Sequence, residues 1–359
     1  MIELKTYHKS TLQEFISSGK YQSYEFLPIT KHRAESQIKN PKANEEQTLL
    51  ILAFEGEKLA GYLGILPDSF LIDDTIFRYG WLSTLFVSSN FRGKRIAQQL
   101  LDKAFEDYNG NIAITEFTPE AESLYNKIKV FKYIQPKIGK RLYLKTNFQD
   151  IIPAKKPKLF HLKPIFKVAD LGFNFVLKIK NSLITKPNFR FEIINKIDSE
   201  SRDFLSQFEA NRNSEEMNWF IENPWILEGK QEDERYLFSS FSNEFKYFWV
   251  KIFNAENLIE TCALLLLRDG NLKIPYYFSN SGHKNFVELL AYFSEKHRVK
   301  FITSYQTFIN EEIEKQKSFP IIYSRNFERR YMFHEKMIEQ LPKNFNPNFQ
   351  DGDGDCALT

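Results

Sequence analysis

The stretch Trp81–Tyr108, WLSTLFVSSNFRGKRIAQQLLDKAFEDY, decides how this chain reads. Leu82, Leu85, Phe86 and Val87 make an apolar, β-prone run that stops at Ser88-Ser89-Asn90, residue types that favour turns. From Ile96 the period becomes helical. Ile96, Leu100, Leu101, Ala104, Phe105 and Tyr108 fall on one face, and Gln98, Gln99, Asp102, Lys103, Glu106 and Asp107 on the other. The stretch is therefore strand, tight loop, helix. Between strand and helix lies Arg92-Gly93-Lys94-Arg95-Ile96-Ala97. A glycine, basic side chains and the open amides of a helix N-terminus converge there, which suits a pyrophosphate.

These residues resemble the acyl-CoA-binding signature of the GNAT acyltransferases, Gln/Arg-x-x-Gly-x-Gly/Ala after the fourth strand. Here the match is Arg92, then Arg95 where glycine is usual, then Ala97. Downstream, Ile112–Phe117 reads as the fifth strand, and Ala121-x-x-Leu124-Tyr125 resembles the helix that follows it in the family. Thr118 stands where asparagine is frequent, and Lys129-Val130 where Gly-Phe closes the motif. The resemblance covers Met1 to about Lys145. It implies an acyl-CoA donor, most simply acetyl-CoA, held by Phe86, Val87, Arg92, Gly93, Lys94, Arg95, Ile96 and Ala97. Main-chain amides near Phe86 and Val87 would stabilise the oxyanion, and Tyr125 would protonate the departing thiolate. The fourth strand offers no base between Tyr79 and Val87, so Glu116 is the candidate general base. Taken singly, the same pieces are a solvated basic turn and a half-buried helix tyrosine.

A chain of 359 residues suggests two domains, and its 42% hydrophobic and 16% aromatic content supplies two cores. The net charge of +3 gives composition no case for nucleic-acid binding. The two cysteines, Cys262 and Cys356, have neither metal-site nor disulfide-framework spacing, and no run of about eighteen apolar residues occurs. A soluble, cytoplasmic protein without an integral membrane segment is expected.

Residues 2–7 alternate as a first strand should, a helix runs from Ser10 to about Ser18, and another spans Ile29 to Ile38. In the family this early helical region shapes the acceptor pocket, which makes Tyr24 a candidate contact. Strands are expected at Thr48–Glu55, Lys58–Leu66 and Thr75–Val87, and Leu142–Lys145 reads as the first unit's last strand. Residues 153–167 hold three prolines and five lysines and read as a linker. Phe166, Leu171, Phe175, Val176, Ile179 and Leu183 then form an amphipathic segment with a break expected at Gly172, of a kind that docks between domains or lies on a membrane.

From Phe189 the order of elements begins again at an offset of roughly 190 residues, which reads as an internal duplication. Ser199–Arg212, Phe286–Glu295 and Glu311–Lys317 read as helices, with strands at Phe189–Ile194, Tyr247–Phe253, Thr261–Leu267, Leu272–Phe278, Phe301–Thr303 and Arg330–His334. Where a second pyrophosphate loop would stand, the sequence is Ser279-Asn280-Ser281-Gly282-His283-Lys284. The chain thus resembles tandem-GNAT proteins with a degenerate second half. The expected fold is α/β (α+β), two tandem units, each a mixed, mainly antiparallel twisted sheet flanked by helices. The expected limits are 1–150 for the CoA-binding domain, 151–187 for the linker, 188–340 for the degenerate domain and 341–359 for a mobile acidic tail.

Met217–Trp225 is the second half's most distinctive stretch, and Trp219, Asn223 and Trp225 are candidate contacts for a sugar or amino-sugar, or else anchors of a helix end. The alternating aspartates of 351–355 invite a calcium reading, but an EF-hand loop needs a further glutamate, so no metal is expected. His8, His32 and His161 have no motif support. Three functions stay open: an N-acyltransferase acting on a small amine or amino-sugar, a Fem-type aminoacyl transferase, or an inactive tandem-GNAT binding scaffold. No long charged coiled-coil insertion for transfer RNA is present, which favours the first. Acceptor, acyl length and oligomeric state stay open.

Overall fold

The computed structural model describes residues 1–359 except 182–183, 231–232 and 317–318. Leu183 and Lys317, expected to end the amphipathic segment and a helix, lie outside the described residues. The strands are β1 (Ile2–Tyr7), β2 (Leu50–Glu55), β3 (Lys58–Ile72), β4 (Thr75–Val87), β5 (Ile112–Thr115), β6 (Phe131–Tyr133), β7 (Lys137–Tyr143) and β8 (Phe191–Ile194). They continue as β9 (Leu227–Glu228), β10 (Phe241–Ser242), β11 (Phe245–Phe253), β12 (Ile259–Arg268), β13 (Asn271–Ser279), β14 (Phe301–Ser304), β15 (Tyr323–Arg329) and β16 (Tyr331–His334). They build two seven-stranded sheets, ordered β1-β2-β3-β4-β5-β16-β6 and β8-β11-β12-β13-β14-β7-β15, and a small β9/β10 pair. β4 and β5 pair in parallel in the first large sheet, and β13 and β14 do so in the second. The fold is mixed α/β with two such sheets flanked by helices.

Read edge to edge, the two sheets repeat one order, and they trade a single strand. The sixth place in the first sheet is filled by β16, which pairs with β5 (Tyr331↔Thr115) and β6 (Met332↔Tyr133). The sixth place in the second is filled by β7, which pairs with β14 (Tyr143↔Phe301). The expectation that the strand ending near Lys145 closes the first unit is thereby corrected. Period-two alternation fixes which face of β7 is buried but not which sheet it joins.

Two compact units result, and both are discontinuous. One comprises Met1–Lys137, Lys196–Phe245 and Arg329–Thr359, and the other Ile138–Asn195 and Lys246–Glu328. The units cut across the contiguous limits read from the sequence. Residues 196–245, with Trp219 and Trp225, belong to the unit that carries Trp81–Tyr108.

In the first unit the sheet is covered on both faces. The helix Ile96–Asp107 and the helix Pro119–Ile128 bury Ile96, Leu100, Leu101 and Tyr125 against Ile51, Ala53, Leu63, Ile65, Leu82, Ile112 and Ile114. On the opposite face, the helices Lys9–Ser17 and Lys31–Ile38 close over Leu50, Leu52, Phe54 and Tyr62. In the second unit, Phe286, Val287, Leu290 and Phe293 of the helix Lys284–Lys296 pack on Val250, Ile252, Leu265 and Ile274.

Two segments differ from expectation. The linker is helical, with helices at Phe148–Lys155 and Lys163–Asn181, and the second runs through Gly172 without a break. A Cβ at Gly172 would meet nothing within 4 Å, so that site costs only propensity. The acidic tail is ordered: Phe349, Asp351, Asp353, Cys356, Ala357 and Leu358 are all buried within the first unit. Its aspartates have buried arginines to pair with, which composition cannot reveal.

Candidate active site

A bulge opens the first sheet. In the β3/β4 ladder Gly64 faces Thr84 and Ile65 faces Leu82, so Ser83 is the extra residue. Pairing of β4 with β5 covers Gly80↔Ile112, Trp81↔Ala113 and Leu82↔Ile114 and then stops. Beyond Leu82 the two parallel strands diverge. The Ser88 amide donates to Ala60 O at 2.9 Å. N–H groups alternate sides along a strand, so the amides of Leu85 and Val87 face the opening. That of Phe86 faces β3, and its ring packs on Phe26 and Tyr62 at 5.1 and 5.6 Å. Arg33, nearly fully buried, fixes the bulge by donating to Ser83 Oγ and to Tyr236 Oη at 2.9 Å each, with its guanidinium 3.7 Å over the Trp225 ring.

The loop after β4 is shaped by two left-handed residues, Gly93 at φ +84° and Arg95 at φ +56°. Arg95 caps the helix Ile96–Asp107. A glycine would adopt this conformation without the 1–3 kcal/mol or so that a larger residue carries there. The first-turn amides of Ile96, Ala97 and Gln98 have no intrahelical acceptor, and among the described residues none donates to a loop carbonyl. Arg92, Gly93, Lys94 and Arg95 are exposed. Lys94 pairs with Glu55 at 2.5 Å, while Arg92 and Arg95 show no ion pair among the described residues. Open amides, two unpaired guanidiniums and unobstructed space around Gly93 fit a pyrophosphate.

Tyr125 is 4% exposed, its ring between Phe117 and Phe131, and no described residue hydrogen-bonds its hydroxyl. Burial pushes the phenol above its ordinary range, so it keeps its proton at neutral pH. Glu116 follows β5 at φ +52°, half exposed, and accepts from Arg329 Nε at 2.6 Å.

Segment 349–359 crosses the opening on the face away from the helix Ile96–Asp107. Leu82 points at that helix, so Trp81 points away from it, and Gly354 lies against Trp81 and Thr115. Asp351 binds Arg329 at 2.7 Å, Phe349 stacks on Tyr331 at 4.9 Å, and Leu358 O accepts from the Trp225 amide at 3.2 Å. Burial pushes the Asp355 carboxyl up to about 6 against the pull of Arg33 and Arg329, with the Glu116 charge adding to the rise. Asp355 and Arg33 are functional candidates that sequence reading missed. Ser83 and Tyr236 lie 50 and 203 residues from Arg33, and no local signal marks these residues.

Trp219, Asn223 and Trp225, the sugar contacts expected from the sequence, pack around one helix. Trp219 is 5% exposed, its Nε1 donating to Ser36 O at 2.8 Å, and Trp225 is 1% exposed with Nε1 on Ser36 Oγ at 3.2 Å. Asn223 accepts from Ser36 Oγ at 2.6 Å through its carbonyl. The three clamp the helix Lys31–Ile38. Trp219 and Asn223 also border a surface cavity of about 670 Å³ with Lys39, Lys196 and Glu222. Tyr24 borders another with Tyr7, Phe15 and Phe54. Neither cavity includes β4 or β5 residues. His32 Nε2 lies 3.0 Å from Trp225 O, a structural contact. Among the described residues no group of three His, Cys, Asp or Glu could hold a metal.

Residues 13–127 match the acetyltransferase (GNAT) family. The chain carries a GNAT acetyltransferase domain. Two solved structures with the same fold cover nearly all of this chain. A protein of Enterococcus faecalis V583, described as a conserved protein of unknown function and probable N-acyltransferase, aligns over 93% of this chain and 73% of its own at 11% identity and TM-score 0.52. A GCN5-related N-acetyltransferase from Anabaena variabilis aligns over 92% and 72% at 12% identity and TM-score 0.51. A tandem GNAT protein from the clavulanic acid biosynthesis pathway aligns over 93% and 99% at 10% identity and TM-score 0.49. No curated protein sequence matches the chain.

Beside the GNAT domain's loop, its counterpart after β13 is short. Residues 88–95 separate β4 from its helix, whereas 280–283 separate β13 from the helix Lys284–Lys296. None of 280–283 has a positive φ. The bulge is nevertheless repeated, since Leu264 faces Tyr276 and Leu266 faces Lys273, with Pro275 inside the irregularity. The second unit repeats the order and the bulge of the first sheet but not its long loop with left-handed residues.

Proposed function

We propose that the protein is an acyl-CoA-dependent N-acyltransferase, with acetyl-CoA the simplest donor and a small amine or amino-sugar the acceptor. The carrying observation is the conjunction of the β4/β5 opening with the open amides and guanidiniums of Arg92–Ala97 at one end of β4. Acyl-CoA supplies the activated thioester. Arg92, Arg95 and the amides of Ile96 and Ala97 hold its phosphates, and the amides of Leu85 and Val87 face the acyl carbonyl. Tyr125 Oη, which has no competing partner among the described residues, returns a proton to the thiolate.

Two carboxylates serve the acceptor side. Glu116 is engaged by Arg329, whereas Asp355, pushed up to about 6, takes a proton from an ammonium group near neutral pH. The acceptor approaches from the face where segment 349–359 lies, and Asp355 belongs to that wall. A thermal-shift and calorimetric screen of acetyl-CoA, CoA and longer acyl-CoAs tests the donor side, with acetyl-CoA binding expected and weakened in Arg92→Ala. Absence of binding to every acyl-CoA would overturn the reading in favour of a non-catalytic scaffold. A pH profile tests Asp355: activity should fall below about pH 6, and Asp355→Asn should remove that limb.

A further inference from the structure

The helix Lys163–Asn181 in the second unit is amphipathic in the inverted sense. Its polar residues face inward. Asp170 accepts from the Phe148 and Gln149 amides at 2.8 and 2.9 Å, Asn174 bonds Thr146 through both its amide atoms at 2.9 and 3.1 Å, and Asn181 bonds Glu295 at 3.3 Å. These contacts fix the rotation of the helix. Ile165, Val168, Leu171, Phe175, Val176 and Ile179 consequently point outward, each 59–69% exposed. At 100° per residue they occupy an arc of roughly 140°, along a helix of about 28 Å. An apolar stripe of that size on a globular unit marks an interaction surface.

Charge selects the partner. The stretch 155–186 contains eight lysines and one acidic residue, Asp170, which is buried. Lys167 and Lys178 are exposed and fall roughly 20–40° outside the apolar arc at its Leu171 edge, where their stems can follow the apolar surface and present ammonium groups beyond it. No helix of the described residues is long and apolar enough to cross a membrane. An antiparallel second copy of this face would bring the lysine edges together at close range.

We propose that this helix docks on an anionic lipid bilayer, its apolar stripe seated among the acyl chains and its lysines on the headgroups. The surface satisfies both components at once, since apolar side chains leave water and lysines meet lipid charge. The GNAT domain is then held at a membrane surface.

The test uses the whole protein with two vesicle preparations, phosphatidylcholine alone and phosphatidylcholine with roughly one third phosphatidylglycerol. Co-sedimentation with the anionic vesicles at least tenfold above the neutral ones is expected, together with release at high salt. Phe175→Asp with Val176→Asp, and separately Lys167→Glu with Lys178→Glu, should each reduce binding at least tenfold. These side chains are exposed, so circular dichroism should show an unchanged fold, and acetyl-CoA binding should not move. Equal binding of parent and both variants, or no binding to anionic vesicles, overturns the proposal. So does a dimer in sedimentation velocity that Phe175→Asp dissolves, which would assign the stripe to a second copy.

Discussion

Arg329 donates through Nε to Glu116 Oε1 at 2.6 Å while its Nη1 meets Asp351 Oδ1 at 2.7 Å. One buried guanidinium thus ties the end of β5 to the segment that crosses the opening. Arg329→Ala removes the guanidinium that pairs with the Asp351 carboxylate, which is 1% exposed, and should cost about 3–5 kcal/mol in denaturant unfolding. Adding Asp351→Ala should recover part of that loss. A cost below about 1 kcal/mol would show that the segment is held by its apolar contacts instead.

Arg92→Ala should weaken CoA binding by about 1.5–3 kcal/mol, and Gly93→Pro should also weaken it, because proline cannot adopt φ +84°. Arg95→Gly relieves the left-handed strain and removes a charge, so it should stabilise the fold by about 1 kcal/mol while lowering affinity. Calorimetry on the three variants checks both effects. Unchanged affinity in all would place the pyrophosphate elsewhere.

Tyr125→Phe removes a hydroxyl without a partner among the described residues and leaves the ring between Phe117 and Phe131. Stability and CoA affinity should therefore hold, while turnover on a confirmed acceptor falls by about two to four orders of magnitude. A fall under about threefold would mean that thiolate departure needs no acid from this residue.

Asp355 makes stability depend on pH in a defined sense. Its carboxyl is raised from the ordinary 3.8 to about 6, so the fold favours the neutral form. That contribution is complete below the unfolded value and is lost as pH rises through about 6. Relative to the parent, Asp355→Asn should gain stability between pH 4 and pH 7, by on the order of 2–3 kcal/mol at about 1.4 kcal/mol per unit. Melting temperatures at pH 4, 5.5 and 7 read this directly, and a constant gap would contradict it.

Trp219→Ala opens a cavity in a site 5% exposed and frees Ser36 O, so a loss of about 3–5 kcal/mol is expected rather than a selective effect on the acceptor. Equilibrium unfolding decides. A variant of normal stability with a raised acceptor Michaelis constant would return Trp219 to the binding surface.

What the sequence determined by itself is local. The apolar run through Val87, the helical period from Ile96 and the glycine between them specify strand, loop and helix, because each rests on neighbours within a few residues. The repeated order from Phe189 onward specifies a second sheet for the same reason. Tertiary structure decided everything that joins distant residues. It placed β16 between β5 and β6 and β7 beside β14, since an isolated strand presents equivalent edges to either sheet. It made the acidic tail a buried segment, because Asp351 and Asp353 are tolerable inside only where Arg329 and Arg212 already stand. It raised Asp355 by burying the segment that carries it, and it turned the stripe of the helix Lys163–Asn181 outward because Asp170 and Asn174 had amide partners to satisfy within.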